Sequence, residues 1–265
     1  MQDRSLPGQS DSLRILTVGD PPPVALENVG GASPFLLVGD HAGNRIPVAL
    51  QQLGLDDVEL ARHVAWDIGI AQLGVRLAKS LDALFIHQIY SRLVIDCNRR
   101  PGAPDSIPPT SDGTIVPGNA HVSATEASAR QLELQAPYQQ AIANAIDRRS
   151  SLGLKTVLVA LHSFTPTMGG FDRPWHAGIL HDAGDSRFAR AMIDALREQS
   201  DLVVGDNEPY SMDTIDYTIP HHAYPRNLPY VEIEVRQDLL ASAAGIEEWT
   251  GRLERALQRS MQALG

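Results

Sequence analysis

The feature that most constrains this chain is a recurring one: short apolar runs of strand length, each delivering the chain to a cluster of polar side chains. In FLLVGDHAGNRIP, Phe35, Leu36, Leu37 and Val38 are closed by Gly39 and followed by His41. Ala83 to Ile89 and Arg92 to Asp96 read as strands, or one bent strand, and Asn98 and Arg99 follow. Lys155 to Leu161, KTVLVAL, is the clearest buried strand, with His162 and Ser163 at its end. Continuous apolar runs suit strands covered on both faces, and open α/β sheets bind ligands beyond the carboxyl ends of their strands. The expectation is an α/β domain with its chemistry gathered at one end of the sheet.

Helical segments complete the pattern. A helix is expected from about Asp67 to Leu81, with Ile68, Ala71, Leu73, Val75 and Leu77 on its buried side. Ser123 and Glu126 have capping-box spacing, opening a helical stretch to about Ser150 that Pro137 must kink or split. Asp185 is a plausible cap for a helix over 186–199, and Leu202 to Val204 reads as another strand. The stripe Ile246, Trp249, Leu253, Leu257 and Met261 marks a last helix packed on the core. Residues 101–119 are rich in Pro, Gly and Ser and are expected to form a long surface loop, a candidate lid, while residues 1–12 read as a loose tail. No repeat and no linker divides the 265 residues, so a single domain is expected.

Bulk properties narrow the function. A net charge of −10 opposes a polyanionic partner, so nucleic acid is not expected. Only two lysines, Lys79 and Lys155, are present, and there is no GxxxxGK[ST] loop. No window reaches the roughly 18 apolar residues of a membrane span, and the start lacks a signal-peptide core. With Cys97 as the only cysteine, a soluble protein of the reducing cytoplasm is expected. Arginine carries nearly all the positive charge, which suits a small carboxylate ligand. Oligomeric state is left open.

The residues at the strand ends point to metal chemistry. Two imidazoles and a carboxylate are a common catalytic zinc set that leaves a position open for water. His41 and His162 are the first two candidate ligands. Asp67 is the preferred third, with His63 and Asn44 as competitors, and a helix cap is the rival role for Asp67. In Tyr230 to Val235, Val231, Ile233 and Val235 face one side and Glu232 and Glu234 the other, either towards solvent or towards a polar site. His176, His181, His221 and His222 are candidates to line the pocket, His222 the best of them. Cys97 reads as a packed thiol, and no GxSxG elbow supports serine catalysis.

Three motifs in order, DCNRRP at 96–101, HSFTP at 162–166 and EIEVRQDL at 232–239, resemble the N-formylglutamate amidohydrolase family from about Phe35 to Leu240. That family is related to zinc carboxypeptidases. The resemblance implies a three-layer α/β/α domain, zinc-carboxypeptidase-like, with a central mixed, mostly parallel sheet. It implies one Zn2+ ion bound by His41 and His162, and it favours Asp67 because the family carries an aspartate there. Glu234 would be the general base, Arg92 would stabilise the oxyanion, and Asn98 and Arg99 would hold the substrate carboxylate. The implied substrate is a small anionic N-acyl amino acid, with N-formyl-L-glutamate giving formate and L-glutamate as the reference reaction. The chain departs from the carboxypeptidase His-x-x-Glu at Asn44. Alternatives are an amidase acting on a larger acyl-peptide or cell-wall fragment, and a non-catalytic carboxylate-binding relative.

Overall fold

The apolar runs become the middle of one sheet. The computed structural model describes residues 13–212 and 216–265, so the expected tail at 1–12 lies outside the described residues. In chain order the strands are β1 (Val24–Glu27), β2 (Phe35–Gly39), β3 (Leu84–Gln88), β4 (Thr110–Ser111), β5 (Thr114–Ile115) and β6 (Val157–Phe164). Then come β7 (Thr167–Met168), β8 (Phe171–Asp172), β9 (Ala177–Leu180), β10 (Val204–Asp206) and β11 (Tyr230–Arg236). Seven of them form a sheet in the order β1-β3-β2-β6-β11-β9-β10, while β4-β5 and β7-β8 are separate hairpins. The central four, β3, β2, β6 and β11, run parallel; β1 and the β9-β10 pair run against them.

Alternation along the strands assigns the two faces. After a short α1 (Asp57–Leu60), the longer helices cover the sheet: Leu37, Val159, Leu161, Val231, Ile233 and Val235 pack on α2 (Ile70–Leu81), α5 (Arg187–Arg197) and α7 (Ala243–Ser260). Leu36, Val38, Leu158, Ala160 and Tyr230 pack on α4 (Ala136–Ser151) and α6 (Thr218–His222). The result is the three-layer α/β/α arrangement around a mixed sheet. A third cluster, with Tyr90, Leu93, Val94, Ile95 and Leu134, sits under the loops beyond the strand ends. No described helix is long and apolar enough to cross a membrane.

Several local expectations change. Arg92 to Asp96 is not a strand: its apolar residues are buried, but its amides bond to loops, with Asp96 N donating to Ser106 O at 2.7 Å and Arg92 N to Ala65 O at 3.2 Å. Burial on all sides selects an apolar run without requiring a ladder. Conversely, His162 and Ser163 lie inside β6, because pairing with β11 continues to Phe164. Helix α2 starts at Ile70, so Asp67 stands ahead of it; Val75 is exposed, and Gly74 takes the buried position. The β10 strand begins at Val204 rather than at Leu202. Asp185 bonds the Arg187 guanidinium and Ser186 occupies the cap position of α5 without a side-chain bond.

The stretch after Ser123 does split near Pro137. Helix α3 (Ala124–Arg130) is capped by the Ser123 hydroxyl, which accepts from Glu126 N, and passes through a π turn at Gln131–Gln135 into α4. Proline has no amide to donate, and the widened turn sits where that bond is missing. The 101–119 segment is the expected surface loop, mostly exposed and anchored at Ser106, Val116 and Asn119. Fully buried Arg130 donates to Val94 O and Asn119 Oδ1, and Asn119 Nδ2 donates to Leu93 O and Pro108 O.

Two predictions follow from this packing. A Cβ on Gly74 would stand 2.2 Å from Phe85 Cε1, so Gly74→Ala forces α2 off β3. Overpacking of about 1–3 kcal/mol outweighs a helix-propensity gain of about 1 kcal/mol, and urea unfolding should show a net loss. The second concerns His222, fully buried against Gln139, whose pKa burial pushes down to about 3. The unfolded chain binds this proton near pH 6.5 and the native state refuses it. The contribution of neutral His222 is therefore complete above that pH and is lost as pH falls towards 3, at up to about 1.4 kcal/mol per unit. The stability difference between the parent and His222→Gln should narrow steadily between about pH 6.5 and 5 in urea titrations.

Candidate metal centre and active site

Parallel pairing creates the site. Glu234 is in register with His162 across β11 and β6, and neighbours in register point to the same face. Both carry the parity of Tyr230 and Leu158, the face covered by α4 and α6, and both lie where the sheet ends. His41 arrives from the adjacent strand β2. Gly43 lets the next residues hug the β3 exit: a Cβ there would be 2.1 Å from Ile89 O, and Ser91 N donates to Arg45 O. Asp67 comes from the turn before α2, its amide donating to His41 O at 2.9 Å.

The three side chains meet at Asp67. His162 Nδ1 lies 2.9 Å from Asp67 Oδ2, and His41 Nδ1 lies 3.5 Å from the same oxygen. One donor atom from each of His41, Asp67 and His162 falls within 4.8 Å of the others, a group able to hold a metal ion. The outer nitrogens turn to other aspartates, His41 Nε2 to Asp96 Oδ1 at 2.7 Å and His162 Nε2 to Asp40 Oδ2 at 3.3 Å. A metal-ligating histidine characteristically gives its second nitrogen to a carboxylate, which fixes ring and tautomer. Among the described residues His41 Nδ1 has no hydrogen-bond partner although it is buried, as expected of an atom reserved for an ion. The donor set of two imidazoles and a carboxylate fits zinc.

Charge explains why these acids tolerate burial. The neighbouring histidines hold Asp40, Asp67 and Asp96 below the usual carboxylate range despite desolvation, and Arg92 adds to this at Asp96. The carboxylates in turn raise both His41 and His162, against the downward pull of burial and, at His41, of Arg92. Arg92 Nη2 is 2.8 Å from Asp96 Oδ2 and its Nη1 3.5 Å from Asp67 Oδ1. Three carboxylates against one guanidinium leave two negative charges. Two imidazolium protons balance them, and so would one divalent ion.

A cavity of about 510 Å³ opens over this cluster. Its lining brings together His41, Asp67, His162, Arg92, Asn98, Arg99 and Glu234 from the sequence reading. Glu232 and Glu234 are not solvent-facing: both are buried against the cavity, each with an Oε2 that has no hydrogen-bond partner among the described residues. Burial pushes Glu234 up to about 7, and nearby Asp67 adds to the rise. Asn98 is heavily committed, its Nδ2 donating to Asp216 and its Oδ1 accepting from Tyr217 N and Thr218 N. Arg99 donates to Asp105 and to Asn98 O. Gln135 and Gln139 of α4 hold this loop by its carbonyls, at Asp96, Arg99 and Cys97.

Other candidates fall elsewhere. His222 does not line the cavity; it is fully buried with Nε2 on Gln139 Oε1 at 2.7 Å, because α6 turns it into the layer behind the site. His176, His181 and His221 are likewise absent from the lining. Asn44 donates to Leu60 O at the other side of the β2 exit, and His63 pairs with Asp112 at 3.0 Å on the cavity rim, so Asp67 is the third donor of the cluster. Asp67 does not cap α2, whose N-cap is Gly69. Cys97 is a buried thiol whose pKa is pushed up by desolvation. Asp40 and Asp96 were not singled out as histidine partners from sequence. Adjacency to His41 and the acidic start of DCNRRP were the available signals.

A sequence model of the N-formylglutamate amidohydrolase family matches residues 33–241. No curated protein matches the chain in sequence. Among solved structures, the gene product Atu2144 of Agrobacterium tumefaciens is 35% identical, with 95% of this chain and 99% of that one covered and a TM-score of 0.91. The N-formylglutamate amidohydrolase of Ralstonia eutropha JMP134 shares the fold at 17% identity, with a TM-score of 0.60 over 92% of this chain and 98% of its own. With the family match covering most of its length, this chain belongs to the N-formylglutamate amidohydrolase family.

Proposed function

We propose that the protein hydrolyses the amide bond of a small N-acyl amino acid, with N-formyl-L-glutamate plus water giving formate and L-glutamate as the reference reaction, and with zinc as its metal. The observation that carries the reading is Glu234. Its Oε2 is buried, has no hydrogen-bond partner among the described residues and lines the same cavity as the His41-Asp67-His162 cluster, one strand away from His162. A carboxylate so placed is suited to proton transfer, and a pKa near 7 matches that task. His41, Asp67 and His162 would hold the ion, which supplies Lewis acidity towards water and the acyl carbonyl.

In this mechanism Glu234 takes a proton from the water as its oxygen adds to the acyl carbon. The same carboxyl returns the proton to the amide nitrogen as the C–N bond breaks, releasing the acid and the free amine. Arg92, fixed by Asp67 and Asp96, meets the carbonyl oxygen as it gains negative charge. Arg99 and Asn98 receive a substrate carboxylate, Arg99 through donors not used on Asp105 and Asn98 O. A cavity of about 510 Å³, bounded in part by Ser111 and Asp112 of the β4-β5 hairpin, favours a small substrate over a cell-wall fragment. A reducing cytoplasmic setting fits the lone buried Cys97.

Metal analysis and turnover of an N-acyl amino-acid panel test the reading. His41→Ala and His162→Ala should lose bound zinc together with activity. Glu234→Gln should keep zinc and lose kcat by roughly 10²- to 10⁴-fold. Metal retained in both histidine variants would sink the ligand assignment. Because His41 and His162 are raised in the metal-free protein, protons compete with metal above as well as below the ordinary histidine range. Zinc uptake should release protons, measured by calorimetry in buffers of different ionisation enthalpy, and affinity should fall as pH falls.

A further inference from the structure

We propose that Arg173 and Tyr210 form an anion subsite of the cavity, in which the Tyr210 hydroxyl, held by Arg173, donates to a carboxylate of the substrate. This rests on the amidohydrolase reading and names the part of the substrate that this wall meets. Arg173 is 8% exposed, yet among the described residues it forms no ion pair. Its guanidinium has only neutral acceptors: Nη1 lies 2.9 Å from the Tyr210 hydroxyl and 3.3 Å from Thr165 O, and Nη2 lies 2.9 Å from Met168 Sδ. It also stacks 4.8 Å from the Tyr210 ring centroid and 5.7 Å from that of Phe164.

The other arginines of the cavity differ. Arg92 is paired with Asp67 and Asp96, and Arg99 with Asp105 and Asp216. Arg173 is therefore the wall's uncompensated cation among the described residues. Burying a charge without a counter-charge is costly, and an anion bound nearby relieves it. Phe164, Thr165, Met168 and Tyr210 all line the cavity, so the charge stands directly behind its surface. Since Arg173 donates to the phenol oxygen, the phenol proton is left for another acceptor, and Tyr210 donates to no described residue. Tyr210 is 39% exposed and lines the cavity. A hydroxyl whose oxygen accepts from a cation is a stronger donor, so Arg173 is a positioning residue that acts through Tyr210. The charge is present before any reaction, which suits a ground-state carboxylate more than a transient oxyanion. A glutamate derivative has two carboxylates, and Arg99 accounts for only one.

The test uses zinc-loaded protein carrying Glu234→Gln to slow turnover, titrated by calorimetry with N-formyl-L-glutamate and with each of its two mono-amides. Adding Tyr210→Phe or Arg173→Gln should each weaken N-formyl-L-glutamate binding roughly 10- to 100-fold. Combining them should add little, and Arg173→Lys should recover part of the loss. The weakening should vanish for the one mono-amide that lacks the contacted carboxylate. In the otherwise parent enzyme, Tyr210→Phe should raise KM and keep kcat within about threefold. Thermal melts check that the variants fold. Unchanged binding, equal losses for both mono-amides, or a fall in kcat at constant KM would each overturn the subsite. Tyr210-dependent binding in a parent protein that hydrolyses nothing would sink the hydrolase reading and leave the subsite standing; no binding by the parent would sink the subsite.

Discussion

One oxygen atom organises the functional end of this molecule. Asp67 Oδ2 faces the Nδ1 atoms of His41, just past β2, and of His162, within β6, and its carboxylate also faces Arg92. It can be buried there because the charges around it cancel. Asp40 and Asp96 stand behind the two histidines, so the cluster holds three carboxylates, one guanidinium and two imidazoles whose affinity for protons those carboxylates raise. Binding a divalent ion in place of protons keeps positive charge among the carboxylates. The centre is thus compatible with a fold that must persist with and without its metal, and with the metal-dependent hydrolase chemistry of the family to which the chain belongs.

The sheet supplies the geometry that the charges need. Beyond the last β2–β6 partners, Val38 and Ala160, strands β6 and β11 stay paired to Phe164 and Arg236, and their register places His162 beside Glu234 with no loop between them to adjust. Glu234, carried on a buried strand, is held by two covered faces, whereas Arg92, Asn98 and Arg99 come from a loop whose carbonyls the Gln135 and Gln139 side chains fix. The split of the α3-α4 stretch at a π turn is part of this arrangement, since Gln135 lies in the turn and Gln139 one helical turn beyond it.

Much of this was legible from particular residues. Alternation of Val231, Ile233 and Val235 with Glu232 and Glu234 is a local property of extended backbone, and it survives in the structure intact. The apolar runs at Phe35 and Val157 are likewise strands because their composition admits little else between two helical layers. Arg92 to Asp96 has the same composition and becomes a buried turn, since the amount of burial, and not its form, is what such a run encodes. His222 lies close before the Glu234 strand along the chain, but α6 buries it against Gln139, behind the site. Arg173 carried no sequence signal at all: its isolation from carboxylates is a fact about its neighbours in space.

What the sequence determined by itself was the inventory, meaning which strands are buried, which residues they deliver to their ends, and the motifs that place the chain in its family. Tertiary structure decided the pairings. Whether Asp67 capped a helix or met two histidines, and whether Glu234 faced water or a cavity, depended on strand order and register. The physical reason is distance along the chain: side-chain alternation and apolar burial are local, while a charge cluster is built from residues such as Asp40, Asp67, Asp96 and His162, which only the folded sheet brings within reach of one another.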